Sequence, residues 1–137
     1  MPIPLVTGFY AGLLGLLLFL LTAHVGRTRV KTGVSLLDGS NREMIIAIRR
    51  QGNFIELVPF CLILLAIAEM ARTSIYMIHI LGIILVVSRI IHPFGVKPET
   101  YDVFARKVGA GGTMIVLLIL SVWDIYLYLV RAALVGP

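Results

Sequence analysis

Charge is scarce in this chain of 137 residues: Asp, Glu, Lys and Arg make up 14% of it, against 59% apolar residues. A soluble domain carries roughly a quarter charged residues, so the composition excludes an ordinary water-exposed globule and predicts a membrane protein. Residues 4–26 contain no Asp, Glu, Lys or Arg at all. At about 1.5 Å per residue such a stretch reaches about 35 Å, more than the roughly 30 Å of a hydrocarbon core. A cleaved signal peptide is the competing reading. The opening Met-Pro-Ile-Pro-Leu has no basic residue, however, and the run exceeds the roughly 7 to 15 apolar residues of such peptides, so a mature first helix is expected. Cysteine is nearly absent too. Cys61 stands alone, which excludes an internal disulfide, and its apolar neighbours predict a small buried hydrophobe. No cluster has metal-ligand spacing and no Ser, His, Asp nucleophile set can be assembled, so no metal site is expected. Repeats, low-complexity tracts and interdomain linkers are also missing, which leaves one domain over 1–137.

What is present is a succession of apolar segments. Helices are predicted at about 4–28, 43–70, 74–94 and 103–133, with turns near 33–40, 71–73 and 95–101. The expected fold is all-α, an integral membrane four-helix bundle. Small residues mark candidate close approaches: Gly8, Ala11, Gly12 and Gly15 on the first helix, and Gly109, Ala110, Gly111 and Gly112 on the fourth. Ten of the twelve Lys and Arg lie in 27–50 and 89–107. By the positive-inside rule these two regions face the cytoplasm, and both termini lie on the opposite side. The net charge of +5 then belongs to the membrane surface and the helix ends, and no nucleic-acid partner is expected.

Helix 2 has to take polar residues into the membrane. Its clean apolar stretch, Leu57 to Ala68, is 12 residues long, about 18 Å where roughly 30 Å is needed. The missing length comes from residues 49–56. Counted from the 71–73 turn, Glu56 and Arg89 stand at the same depth, roughly 25 Å along their helices. At 100° per residue Arg42, Arg49, Asn53 and Glu56 share one face, within about 60° of arc, whereas Arg50 and Gln51 point elsewhere, toward another helix or a second subunit. Arg89 and His92 share a face of helix 3, which Pro93 helps to end. Arg27 and Arg106 bring further charge from helices 1 and 4. Intramembrane charges of this kind face a partner or a wet cavity, although Glu56 and Arg89 could also pair for structure alone. Arg29, Lys31, Arg42, Lys97, Lys107 and Arg131 need no such role, because basic residues near helix ends reach headgroups. His24 and His79 sit alone on apolar faces and are expected to pack or to lie at the interface. Asp124, beside Trp123 in the outer half of helix 4, is assigned to packing or subunit contact. Several cations around one carboxylate suit a small amphoteric anion; glutathione fits, without being selected by charge alone.

The pattern Arg49-x-Gln51-x-Asn53-x-x-Glu56-x-x-Pro59 opening helix 2, followed by Arg89-x-x-His92 closing helix 3, resembles the MAPEG family, the membrane-associated proteins in eicosanoid and glutathione metabolism. The likeness covers nearly the whole chain and is closest to the small bacterial members. It implies a homotrimer in a bacterial inner membrane, with glutathione as co-substrate held between subunits on the cytoplasmic side. It further implies a transferase that adds the glutathione thiolate to lipophilic electrophiles, with lipid hydroperoxide reduction as a second activity. By position, Arg49 would hold a carboxylate of glutathione, Gln51 and Asn53 would bond its peptide groups, and Glu56 would meet its ammonium. Arg27, Arg89 and His92 would complete the binding site, and Arg106 would act catalytically by stabilising the thiolate. Leukotriene-type members have a tyrosine where this chain has Leu57, and tyrosines near the end of helix 3 where it reads His92-Pro93-Phe94-Gly95-Val96, so that chemistry is not implied. Two alternatives stay open: a non-enzymatic lipid-binding scaffold, and a small proton-coupled exporter using Glu56.

Overall fold

The computed structural model describes residues 3–96 and 103–135, so the predicted 95–101 turn and Lys97 lie largely outside the described residues. Four α-helices follow one another: α1 (Leu5–Thr32), α2 (Arg42–Met70), α3 (Ile75–Ile91) and α4 (Val103–Val135), with a 3-10 segment, His92–Gly95, continuing α3. No strand occurs among the described residues, and four spans are long and apolar enough to cross a membrane, the third being α3 together with its 3-10 extension, Ile75–Gly95. The first helix runs four residues beyond its expected end at 28. Gly33, in the left-handed region at φ 68°, stops it.

Around the bundle, α1 packs on α2, α2 on α4, α4 on α3 and α3 on α1, with α2 and α3 also touching across the middle. The shared core is apolar: Leu14, Phe54, Leu65, Leu85 and Leu120 are sealed within it, as is Cys61. Outward faces are equally apolar. Phe9, Leu16 and Phe19 on α1, and Ile115, Leu118 and Ile125 on α4, are exposed, the inverse of a soluble surface and the expected dress of helices solvated by lipid. Pro59 lies inside α2 without interrupting it.

Polar contacts fix the helices at both ends. At the end away from most of the basic residues, the Glu69 carboxylate accepts from the Val6 amide at 2.9 Å and from the Thr7 amide and hydroxyl, both at 2.7 Å. Pro4, at the cap position of α1, offers no side-chain cap, so a carboxylate from α2 satisfies the orphan amides and meets the positive end of the helix dipole. Trp123 Nε1 donates to Thr73 Oγ1 at 2.8 Å. His79, expected to stand alone, pairs through Nδ1 with the Tyr10 hydroxyl at 2.8 Å, and the Tyr10 ring lies directly on Gly82. At the other end Arg29 Nη1 donates to the carbonyls of Val34 and Leu37, and Asn41 caps α2 by accepting from the Met44 amide at 3.1 Å.

The small residues divide in a way that composition alone does not show. Among the described residues Gly8, Gly12 and Gly15 meet nothing, since a Cβ added to any of them would find no atom within 4 Å. The close approach belongs to α4. A Cβ on Gly109 would stand 2.7 Å from the His92 Cα, one on Gly112 would strike the Ser88 hydroxyl, and one on Gly95 would strike the Arg106 amide. These three glycines let α3 and its 3-10 extension lie against α4 almost backbone to backbone.

Candidate functional site

That contact builds one wall of a cavity of about 640 Å³ at the basic end of the bundle. From α2 come Arg49, Asn53 and Glu56, one helical stripe, with Gly52 beside them leaving room; His92 and Val96 come from the 3-10 segment and its end, and Arg106 from the first turns of α4. The volume falls in the range of about 300–1,000 Å³ typical of small-molecule sites. Each position has a local cause. Residues 49, 53 and 56 follow the i, i+4, i+7 repeat of one helix face. His92 is turned inward because the chain tightens into a 3-10 turn just before Pro93, which has no amide to continue the helix. Arg106 is carried to the rim by the Gly95 and Gly109 contacts.

Five of the eight residues singled out from the sequence therefore meet at one cavity: Arg49, Asn53, Glu56, His92 and Arg106. Arg89 lies just off it. Its side chain is 1% exposed, and Nη1 donates to the Asn53 side-chain oxygen at 2.7 Å and, more weakly, to the Asn53 carbonyl at 3.5 Å. Equal depth therefore does not produce an Arg89–Glu56 pair; the arginine takes the amide one turn earlier. Among the described residues its Nε and Nη2 are buried with no hydrogen-bond partner, a cost of burial that leaves Asn53 as its one acceptor there. The remaining two, Arg27 and Gln51, are not brought to the cavity. Arg27 is exposed on α1, and Gln51 donates to Thr22 Oγ1 on α1 at 2.8 Å.

Arg50, expected to face another helix or a second subunit, does reach a neighbouring element: it donates to the carbonyl of Val96, where the 3-10 segment after α3 ends, with both Nε, at 3.1 Å, and Nη2. Glu69, half-buried at the end of an apolar run, was not singled out from the sequence and is the cap of α1 described above. The signal that could have found it was its cost: an ionisable residue inside a membrane segment asks for a named partner. Asp124 has both carboxylate oxygens buried and, among the described residues, no hydrogen-bond partner.

Chemically the cavity offers two guanidinium groups, with a third just beneath, one carboxylate, one amide and one imidazole. Such a set holds an anion that also carries a positive group: guanidinium forks take carboxylates, and the lone glutamate takes an ammonium.

Four membrane-length spans with a cationic cavity sunk into one end of the bundle define a multi-pass membrane protein with a cavity of small-molecule size. More particularly, the chain belongs to the MAPEG family, whose model matches residues 7–126. It is 31% identical over 122 residues to the inner membrane protein YecN of Escherichia coli strain K12, an alignment covering 89% of this chain and 92% of that protein. The YecN protein of E. coli O6:H1 strain CFT073 matches to the same extent. No solved structure gives a significant match.

Proposed function

We propose that this protein is a glutathione-dependent transferase of a bacterial inner membrane, joining the glutathione thiolate to lipophilic electrophiles, with reduction of lipid hydroperoxides as a second activity. The observation that carries this reading is the composition of the cavity wall: Arg49, Asn53, Glu56, His92 and Arg106 converge from three parts of the chain on one space. Glutathione has two carboxylates for guanidinium groups, an ammonium for Glu56 and amides for Asn53. A free thiol has a pKa of about 8.5, and a guanidinium held beside it favours the thiolate that attacks. Arg106 is assigned that task by its likeness in position to the family's arginine early in the fourth helix, and it lines the same cavity as the α2 stripe. The apolar substrate would enter sideways from lipid while glutathione enters from the cytoplasm, which explains a polar site at the end of the helices. Membership of a family that serves glutathione and eicosanoid metabolism, and the likeness to a protein named for the inner membrane, support the same reading.

A homotrimer belongs to this proposal. Arg27 and Gln51, which do not line the cavity of their own chain, would serve the cavity of a neighbouring copy. The test is ultraviolet absorbance of the thiolate when glutathione is mixed with the purified protein. A thiolate signal is expected in the parent and its loss in Arg106→Ala. No signal in the parent would remove the transferase reading, and an unchanged signal in the variant would remove Arg106 from its role. Lipid binding without glutathione binding, read by calorimetry, would turn the assignment to a scaffold.

A further inference from the structure

Arg49 and Arg50 are adjacent in sequence but have different surroundings. Arg49 lines the cavity. One residue on, about 100° around the helix, Arg50 does not line it, and instead its Nε and Nη2 both donate to the carbonyl of Val96, 46 residues away. That carbonyl sits where the 3-10 segment ends, a place where a helix leaves its last acceptors without partners. In the same short piece of chain, Gly95 rests against the backbone of Ala105 and Arg106 so closely that no side chain fits between them. Residues 95–96 are thus held by two elements, by the Arg50 fork on α2 and by the first turns of α4.

We propose that Arg50 is a positioning residue: it latches the end of the 3-10 segment to α2 and, through the Gly95 contact, fixes where Arg106 stands relative to Arg49 and Glu56. A guanidinium can do this where an ammonium cannot, since its planar fork directs two donors at one oxygen and so sets direction as well as distance. The inference rests on the transferase reading for its consequence in catalysis, but the latch itself does not depend on it. Arg50 touches no ligand. It acts on the charge of the site through backbone.

The experiment compares Arg50→Met, which keeps a long stem without donors, and Arg50→Lys, which keeps charge without the fork, with Arg131→Gln as control. Arg131 also donates to a backbone carbonyl, that of Ala71, but at the other end of the bundle. Hydrogen exchange is measured on the full chain in lipid nanodiscs, and the pH midpoint of the glutathione thiolate signal and the glutathione Kd are measured alongside. A hydrogen bond from a charged donor is worth enough for its loss to raise opening of the segment about tenfold or more. Arg50→Met is expected to show that acceleration at 92–96 and 104–110 but not in α1, an upward move of the thiolate midpoint, and a Kd within about threefold of the parent. Arg50→Lys should fall between the two, and it supplies the same readouts if the Met variant does not fold. Arg131→Gln should shift neither. Unchanged exchange at 92–96, or exchange faster throughout α1 as well, would overturn the latch. Faster local exchange with the parent's thiolate midpoint, or a Kd weakened tenfold at an unmoved midpoint, would overturn the positioning role. A parent that binds no glutathione would sink the transferase reading, and the exchange data would then decide the latch alone.

Discussion

Replacing Gly109 by alanine adds a single carbon, and the structure says where it goes. The new Cβ would lie 2.7 Å from the His92 Cα and 2.8 Å from its amide nitrogen and Cβ, where ordinary contact begins at 3.4 Å. Most of these atoms are backbone, so no side chain can swing aside. The 3-10 segment and α4 must separate by about 0.7 Å, or the carbon must stay compressed. Overpacking of this kind costs about 1–3 kcal/mol, against which alanine recovers about 1 kcal/mol of helix propensity over glycine. Two residues along, Gly111 supplies the control, because a Cβ there meets nothing within 4 Å among the described residues. Gly111→Ala should therefore gain up to about 1 kcal/mol, placing the two variants about 1–3 kcal/mol apart although the chemical change is identical. Thermal unfolding in detergent, followed by circular dichroism, measures the gap. Calorimetry with glutathione then asks whether separating His92 from α4 also weakens the site, as the shared cavity wall predicts. A Gly109→Ala protein as stable as Gly111→Ala, or more so, would refute the close packing from which the position of Arg106 was argued.

Other outcomes follow from the polar contacts. Glu69→Gln keeps the shape of the α1 cap but removes its charge, and should lower stability by about 1–2 kcal/mol; Thr7→Val measured alongside, in a double-mutant cycle, should show coupling of at least about 0.5 kcal/mol because the two side chains meet at 2.7 Å. Asn53→Ala leaves the buried Arg89 without its nearest acceptor and should cost about 1–3 kcal/mol in unfolding while also weakening glutathione binding. Lys31→Met should change stability by less than about 0.5 kcal/mol, since the Lys31–Glu43 pair, 2.8 Å apart, is 69% and 53% exposed; a larger loss would show that the pair is shielded in the membrane-bound protein.

Much of the architecture was legible in residue order. Membrane helices announce themselves by length and by the absence of charge, because no unpaired backbone group survives in lipid. The polar stripe of α2 was legible for the same kind of reason: one helical period places Arg49, Asn53 and Glu56 on a line wherever the helix goes. Fine boundaries were less so. The extension of α1 to Thr32 crosses residues that composition assigns to a loop, and its stop is set by one left-handed backbone angle at Gly33.

The sequence by itself determined that four helices cross a membrane and that one face of the second is polar, since both follow from local chemistry repeated along a helix. Which partner each polar group takes was decided only by tertiary structure. Arg89 and Glu56 share a depth, yet rotation about the two helices gives Arg89 to Asn53. Gly8 and Gly109 read alike in a list of small residues, yet only Gly109 meets another backbone. Arg50, unremarkable beside Arg49, acquires its task from a carbonyl 46 residues away. Periodicity fixes the face a residue presents; what that face meets depends on the crossing and rotation of helices distant in sequence, and these are set by the packing of the whole bundle.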